Sequence, residues 1–138
     1  MVKRNCTSFS LGEGIRTIDK IILHCTDSDV DHDINEIARW HRMRGFKDVG
    51  YHFLIRRHGI QFGRPIDQIG AHCKGQNSNS LGICLTGKNE FDQAQFEMTA
   101  RLISSFFPGL AIYPHNYFNK NKRCPGFDIE EVTSLLAV

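Results

Sequence analysis

Apolar positions fall in short runs whose spacing changes along the chain. Ile18, Ile21, Ile22 and Leu23 form a compact β-branched run ending at His24, which predicts a buried strand over residues 17–25. An Asp-rich loop follows. Asp33, with Glu36 three residues on, resembles a capping box, and Ile34, Ile37, Ala38 and His41 then recur at helical spacing until Gly45, so a helix is predicted over 34–44. Residues 51–57 alternate and are rich in aromatic and β-branched types. His58-Gly59 supplies a tight turn into Ile60-Gln61-Phe62, the pattern of a hairpin. Residues 70–80 are rich in Gly and Asn and read as loop, and 81–86 form another apolar strand. A second helix is predicted over 92–107, capped by Asp92 and Gln95, with Phe96, Ala100, Ile103 and Phe107 on one face and Pro108-Gly109 as its stop. A short strand at 111–113 leads to His115. The closing helix uses Asp128 and Glu131 as its cap and turns Ile129, Val132 and Leu136 to the core.

Strands and helices interleave, so the predicted class is α/β: a single domain with a central mixed β-sheet flanked by about three helices. Residues 1–16 are polar, carry Gly12 and Gly14, and read as a loose arm or an added edge segment. The domain proper is expected over 17–138.

Composition narrows the class. A chain of 138 residues with 41% hydrophobic content can bury one core but not two. Seventeen Lys and Arg against fifteen Asp and Glu, a formal charge of +2, are too balanced for nucleic acid or an anionic membrane as main partner. The groups Arg42-Arg44-Lys47, Arg56-Arg57 and Lys120-Lys122-Arg123 read as solvated faces. Five cysteines at unpatterned spacing argue against a disulfide framework and for synthesis in a reducing compartment. The first residues are basic with no apolar stretch behind them, and no apolar run reaches the 18 or so residues that a bilayer requires. Cytoplasmic synthesis without a signal peptide or membrane insertion is therefore expected.

The candidate chemistry lies in His24, in His115 and in Cys124. Two imidazoles and one thiolate form a three-ligand zinc set that leaves the fourth tetrahedral position open, as hydrolytic sites require. Cys6, Cys25, Cys73 and Cys84 form no C-x-x-C pair, so the usual spacing of a structural zinc site is missing. Neighbours on a strand point to opposite faces, which makes Cys25 a bystander beside His24. By the same argument, one of Tyr51 and His52 faces the site and the other the core or solvent. Lys122 and Cys124 stand two apart, so in extended chain both project to one side, placing an ammonium beside a thiolate.

Taken in order, Ile21-Ile22-Leu23-His24-Cys25-Thr26, Trp40-His41 with Arg44-Gly45-Phe46, Gly50-Tyr51-His52-Phe53, Gly70-Ala71-His72, Asn79-Ser80-Leu81-Gly82-Ile83 and Lys122-Arg123-Cys124-Pro125-Gly126-Phe127-Asp128 resemble the zinc-dependent N-acetylmuramoyl-L-alanine amidases. That group includes small bacteriophage endolysins and the peptidoglycan recognition proteins. The resemblance covers about residues 17–136. It implies one zinc per chain on His24, His115 and Cys124, with Tyr51 and Lys122 as the catalytic pair and Tyr51, not His52, toward the metal. It also implies substrate contact for His72 and Asn79, in loops bordering the groove, and helix packing for Trp40 and His41. The implied reaction is hydrolysis of the amide between N-acetylmuramic acid and L-alanine in peptidoglycan, by a monomer that reaches the cell wall after release, as a phage lysis enzyme does. No segment is left over for a wall-binding module, so targeting is expected to come from the catalytic domain. One departure stands out. Many relatives carry His-Arg-Asp at the second ligand, where this chain has His115-Asn116-Tyr117-Phe118, and Lys120 becomes a rival to Lys122. Glu36 and Glu90 remain alternatives for a general base. The competing reading is a recognition protein that holds muropeptide without cutting it, and the presence of Cys124 weighs against that.

Overall fold

A computed structural model describes residues 8–10 and 16–136, so Gly12 and Gly14 of the expected arm lie outside the described residues. Strands β1 (Phe9–Ser10) and β2 (Thr17–Ile18) form a two-stranded antiparallel ribbon, with Phe9 opposite Ile18. The first apolar run thus divides between two sheets. Asp19 turns its N–H to Asn79 O at 2.9 Å, and β3 (Lys20–Cys25) then enters the main sheet.

That sheet has five strands in the order β5-β4-β6-β3-β7, where β4 is Phe53–Arg56, β5 is Gly59–Phe62, β6 is Ser80–Leu85 and β7 is Ala111–Pro114. Strand β3 runs parallel to both β6 and β7, β4 runs parallel to β6, and only the β4–β5 hairpin is antiparallel. The sheet is therefore mixed, as the interleaved pattern predicts.

Side-chain alternation decides what each face carries. Leu23 on β3 and Leu81, Ile83 and Leu85 on β6 point to one side, where they meet Phe96, Ala100 and Ile103 of α2 (Gln93–Phe106) and Val132 of α4 (Glu130–Thr133). Cys84 and Leu54 point the other way and pack under Ile37 and Ala38 of α1 (Ile34–Met43). His24 stands opposite Cys84 in the register and shares its face, near the C-terminal end of β3. Each fully buried aliphatic contributes about 1.5–3 kcal/mol, so the α2 side anchors the sheet and leaves the thinner α1 side for polar groups.

The caps of the two long helices are those the sequence predicts. Asp33 accepts the Glu36 N–H at 2.9 Å, and Asp92 with Gln95 makes a reciprocal capping box. Two short elements depart from expectation. The closing helix shrinks to the single turn of α4, with Ile129 at its N-cap and Asp128 Oδ1 accepting from the Glu130 N–H at 2.9 Å. A further one-turn helix, α3 (His115–Phe118), follows β7 directly. One turn carries no periodicity to read, so four helices stand where about three are predicted. Among the described residues no helix is long and apolar enough to cross a membrane.

Candidate metal centre and substrate groove

Three segments converge beyond the carboxyl ends of the parallel strands, where open α/β sheets place their crevices. His24 is 1% exposed and held by β3. Because Leu23 pairs with Pro114 on β7, the next residue, His115, arrives beside His24 as the first residue of α3. Its Nδ1 lies 3.1 Å from His24 Nδ1. Cys124 comes from the last loop, which Asn116 N–H ties to α3 by donating to Cys124 O at 3.0 Å. Gly126 permits the turn after it: φ is +78°, and a Cβ there would lie 2.6 Å from Lys88 O. The nitrogen and sulfur atoms of His24, His115 and Cys124 all lie within 4.8 Å of one another.

This donor set fits zinc. Tetrahedral bonds of about 2.0 Å set two nitrogens about 3.3 Å apart, close to the observed separation. Burial first, then the neighbouring His72, His115 and His41, holds His24 well below the usual histidine range; burial and the Lys122 ammonium lower His115. Both rings are thus neutral, the form that binds metal. The hydrogen bond with the Cys25 thiol, then burial, pushes the Cys124 thiol up. A divalent cation reverses that preference, and the Cys25 N–H, 3.1 Å from Cys124 Sγ, is already placed to stabilise a thiolate.

With His24 buried behind them, His115 and Cys124 line a groove of about 610 Å³. Tyr51 lines it, with its ring centroid 5.1 Å from that of His24, whereas His52 turns inward, is 1% exposed, and accepts the Gly82 N–H on Nδ1 at 3.0 Å. Burial, followed by the nearby Cys84 and Cys124 thiols, raises Tyr51 well above the ordinary phenol value. The phenol stays protonated at neutral pH. Lys122 lines the groove, while Lys120 sits over the Tyr117 ring at 5.7 Å and is absent from the lining.

His72 lines the groove but is 9% exposed, and both ring nitrogens are engaged: Nδ1 lies 2.8 Å from His24 Nε2 and Nε2 lies 3.3 Å from Ser80 Oγ. Asn79 is placed elsewhere than expected. Its amide donates to Asp19 Oδ2 at 3.2 Å, and the groove is lined instead by Asn77, whose Oδ1 accepts the N–H groups of His72 and Cys73, both at 2.9 Å. Residues 77–79 form a 3-10 turn, in which positions two apart face about a third of a turn away from each other. The Asn-rich composition marks this loop but cannot rank its asparagines.

Glu36 and Glu90 do not line the groove, and Glu36 is occupied by Arg39 at 2.5 Å and by Trp40 Nε1 at 3.1 Å. Asp27 is the carboxylate at the rim, paired with Arg123 at 2.6 Å. Four cations, Arg44, Lys74, Lys122 and Arg123, line the groove. Sequence reasoning missed Arg44, which lies in a group that reads as a solvated face, and Lys74, which lies in the Gly- and Asn-rich loop where only His72 and Asn79 are singled out.

An endolysin of Klebsiella phage KP32 is 36% identical over 125 residues, 80% of this chain and 82% of that protein. The N-acetylmuramoyl-L-alanine amidase LysC from Clostridium intestinale superposes with a TM-score of 0.74 at 25% identity, over 85% of this chain and 83% of the other. Peptidoglycan recognition protein-LE, solved in complex with tracheal cytotoxin (monomeric diaminopimelic acid-type peptidoglycan), shares the fold, with a TM-score of 0.75 at 21% identity over 98% and 89% of the two chains. The sequence pattern of the N-acetylmuramoyl-L-alanine amidases matches residues 14–127, and the chain belongs to that family.

Proposed function

We propose that this chain is a zinc-dependent endolysin that hydrolyses the amide joining the lactyl group of N-acetylmuramic acid to L-alanine in peptidoglycan. The convergence of His24 Nδ1, His115 Nδ1 and Cys124 Sγ at the head of the groove carries the reading. These three residues would hold one zinc, which when bound would supply Lewis acidity to the scissile carbonyl and to the attacking water. The chain's own groups do the rest. Tyr51, kept protonated by burial, donates a hydrogen bond from Oη and orients the reacting oxygen. Lys122 brings a positive charge beside His115, where it stabilises negative charge growing on the carbonyl oxygen as the carbon becomes tetrahedral. Arg44 and Lys74 complement the carboxylates of the stem peptide.

The protein acts as a monomer, is made in the cytoplasm, and meets the wall after release; nucleic acid is no partner, in keeping with the near-neutral charge. The test is mass spectrometry of purified peptidoglycan after digestion. New L-alanine amino termini with intact glycan are expected. Binding without cleavage favours a recognition protein, and new reducing sugar ends overturn the amidase.

A further inference from the structure

His24 is a ring with two nitrogens, of which only one can serve a metal. Nδ1 faces His115 Nδ1 at 3.1 Å, and Nε2 faces His72 Nδ1 at 2.8 Å. We infer that His72 is a positioning residue that fixes the tautomer and aim of His24 through a one-way hydrogen-bond chain ending at the Gln76 carbonyl. This rests on the zinc reading above.

The direction of the chain follows from its far end. Gln76 O can only accept, and at 2.6 Å it takes the single hydrogen of the Ser80 hydroxyl. Ser80 Oγ is then left to accept from His72 Nε2–H at 3.3 Å. A neutral imidazole that donates from Nε2 is bare at Nδ1, so His72 Nδ1 accepts from His24 Nε2–H. His24 is in turn bare at Nδ1, and its lone pair points to the ligand cluster. A backbone carbonyl three hydrogen bonds away thus selects the metal-binding form of the ring. Ligating histidines commonly donate their second nitrogen to a carboxylate or carbonyl; here a second histidine relays that demand.

The surroundings are shaped for the relay. A Cβ at Gly82 would lie 2.6 Å from His72 Cγ, and one at Gly70 would lie 2.7 Å from His72 Cδ2, so the ring rests against two bare backbones. Asn77 Oδ1 holds the His72 N–H at 2.9 Å. Ser80 is fully buried, as an internal link in such a chain must be.

The experiment measures zinc affinity of the full chain by competition with a chromophoric chelator, with circular dichroism as the check on folding. His72→Ala is expected to weaken zinc by about 10–100-fold, the usual effect of removing an outer partner of a ligand. Ser80→Ala lowers affinity less, in the same direction. His72→Asn, whose Oδ1 replaces Nδ1 as acceptor, recovers most of the loss, which a packing role alone does not predict. Zinc affinity within twofold of the parent in both His72→Ala and Ser80→Ala overturns the inference, and so does a His72→Asn variant no better than the alanine. Should His72→Ala not fold, Ser80→Ala and His72→Asn decide. A parent chain that takes up no zinc refutes the underlying metal reading instead.

Discussion

Acid should unfold this protein through histidines outside the metal cluster. His41 and His52 are 6% and 1% exposed, and each spends Nδ1 accepting a backbone N–H: Gly50 at 2.7 Å for His41, Gly82 at 3.0 Å for His52. Burial above all lowers both to about 4; Arg44 adds to the effect at His41, and at His52 the Gln68 carbonyl works against it. Protonation removes the acceptor and sets two N–H groups against each other. A folded pKa near 4 against 6.5 in the unfolded chain means that the unfolded state binds more protons between those values. Stability is therefore complete above about pH 6.5 and is lost as pH falls toward 4. A separation of that size corresponds to about 3 kcal/mol per histidine, so the pair removes several kcal/mol, comparable to the whole stability of a small domain. Urea titrations of the metal-free protein between pH 7.5 and 4 measure the slope. His41→Asn keeps an acceptor near Gly50 but cannot titrate, and should flatten the slope by about 1.4 kcal/mol per pH unit midway through the window. Equal slopes in parent and variant refute the reasoning.

Elemental analysis should find one zinc per chain, and His115→Ala should abolish it. Zinc at 1,000 times its Kd stabilises by about 4 kcal/mol, so chelation is expected to lower Tm by about 14 °C, given an unfolding entropy of about 2.1 cal/mol/K per residue. Differential scanning calorimetry checks it, and an unchanged Tm counts against the site. Tyr51→Phe and Lys122→Met should keep fold and zinc while losing about 10²–10³ in kcat, whereas Lys120→Met should turn over normally in a dye-release assay. Arg44→Gln and Lys74→Gln should raise KM on soluble muropeptides more than they lower kcat, with a weaker dependence of KM on salt; unchanged KM removes these residues from the substrate surface.

Much of this architecture is legible in the residues because it depends on local signals repeated over several positions. The β-branched run before His24, the Asp33–Glu36 and Asp92–Gln95 caps, and the Gly59 turn each concern neighbours in sequence, and each element forms where expected. The misses are of another kind. The break at Asp19 follows from a partner 60 residues away, Asn79, and α3 is too short to show a period. The relay through His72 stays hidden because a glycine in strand β6 announces close approach without saying of what. Distances between Lys122, Lys120 and the groove likewise depend on an irregular loop, whose course no pattern of apolar residues specifies.

Strand β3, held between β6 and β7, is also the earliest strand of the sheet: both of its parallel neighbours lie later in the chain. At synthesis rates of about 5–20 residues per second, the 100 residues from His24 to Cys124 take about 5–20 seconds to follow. Until β6 is made β3 has two open edges, until β7 is made it has one, and the three-residue cluster stays incomplete until Cys124 follows, so the nascent chain is exposed to mispairing over much of that interval. The His24, His115 and Cys124 cluster is therefore completed in a single late step, when the last loop brings Cys124 Sγ to the Cys25 N–H beside His24.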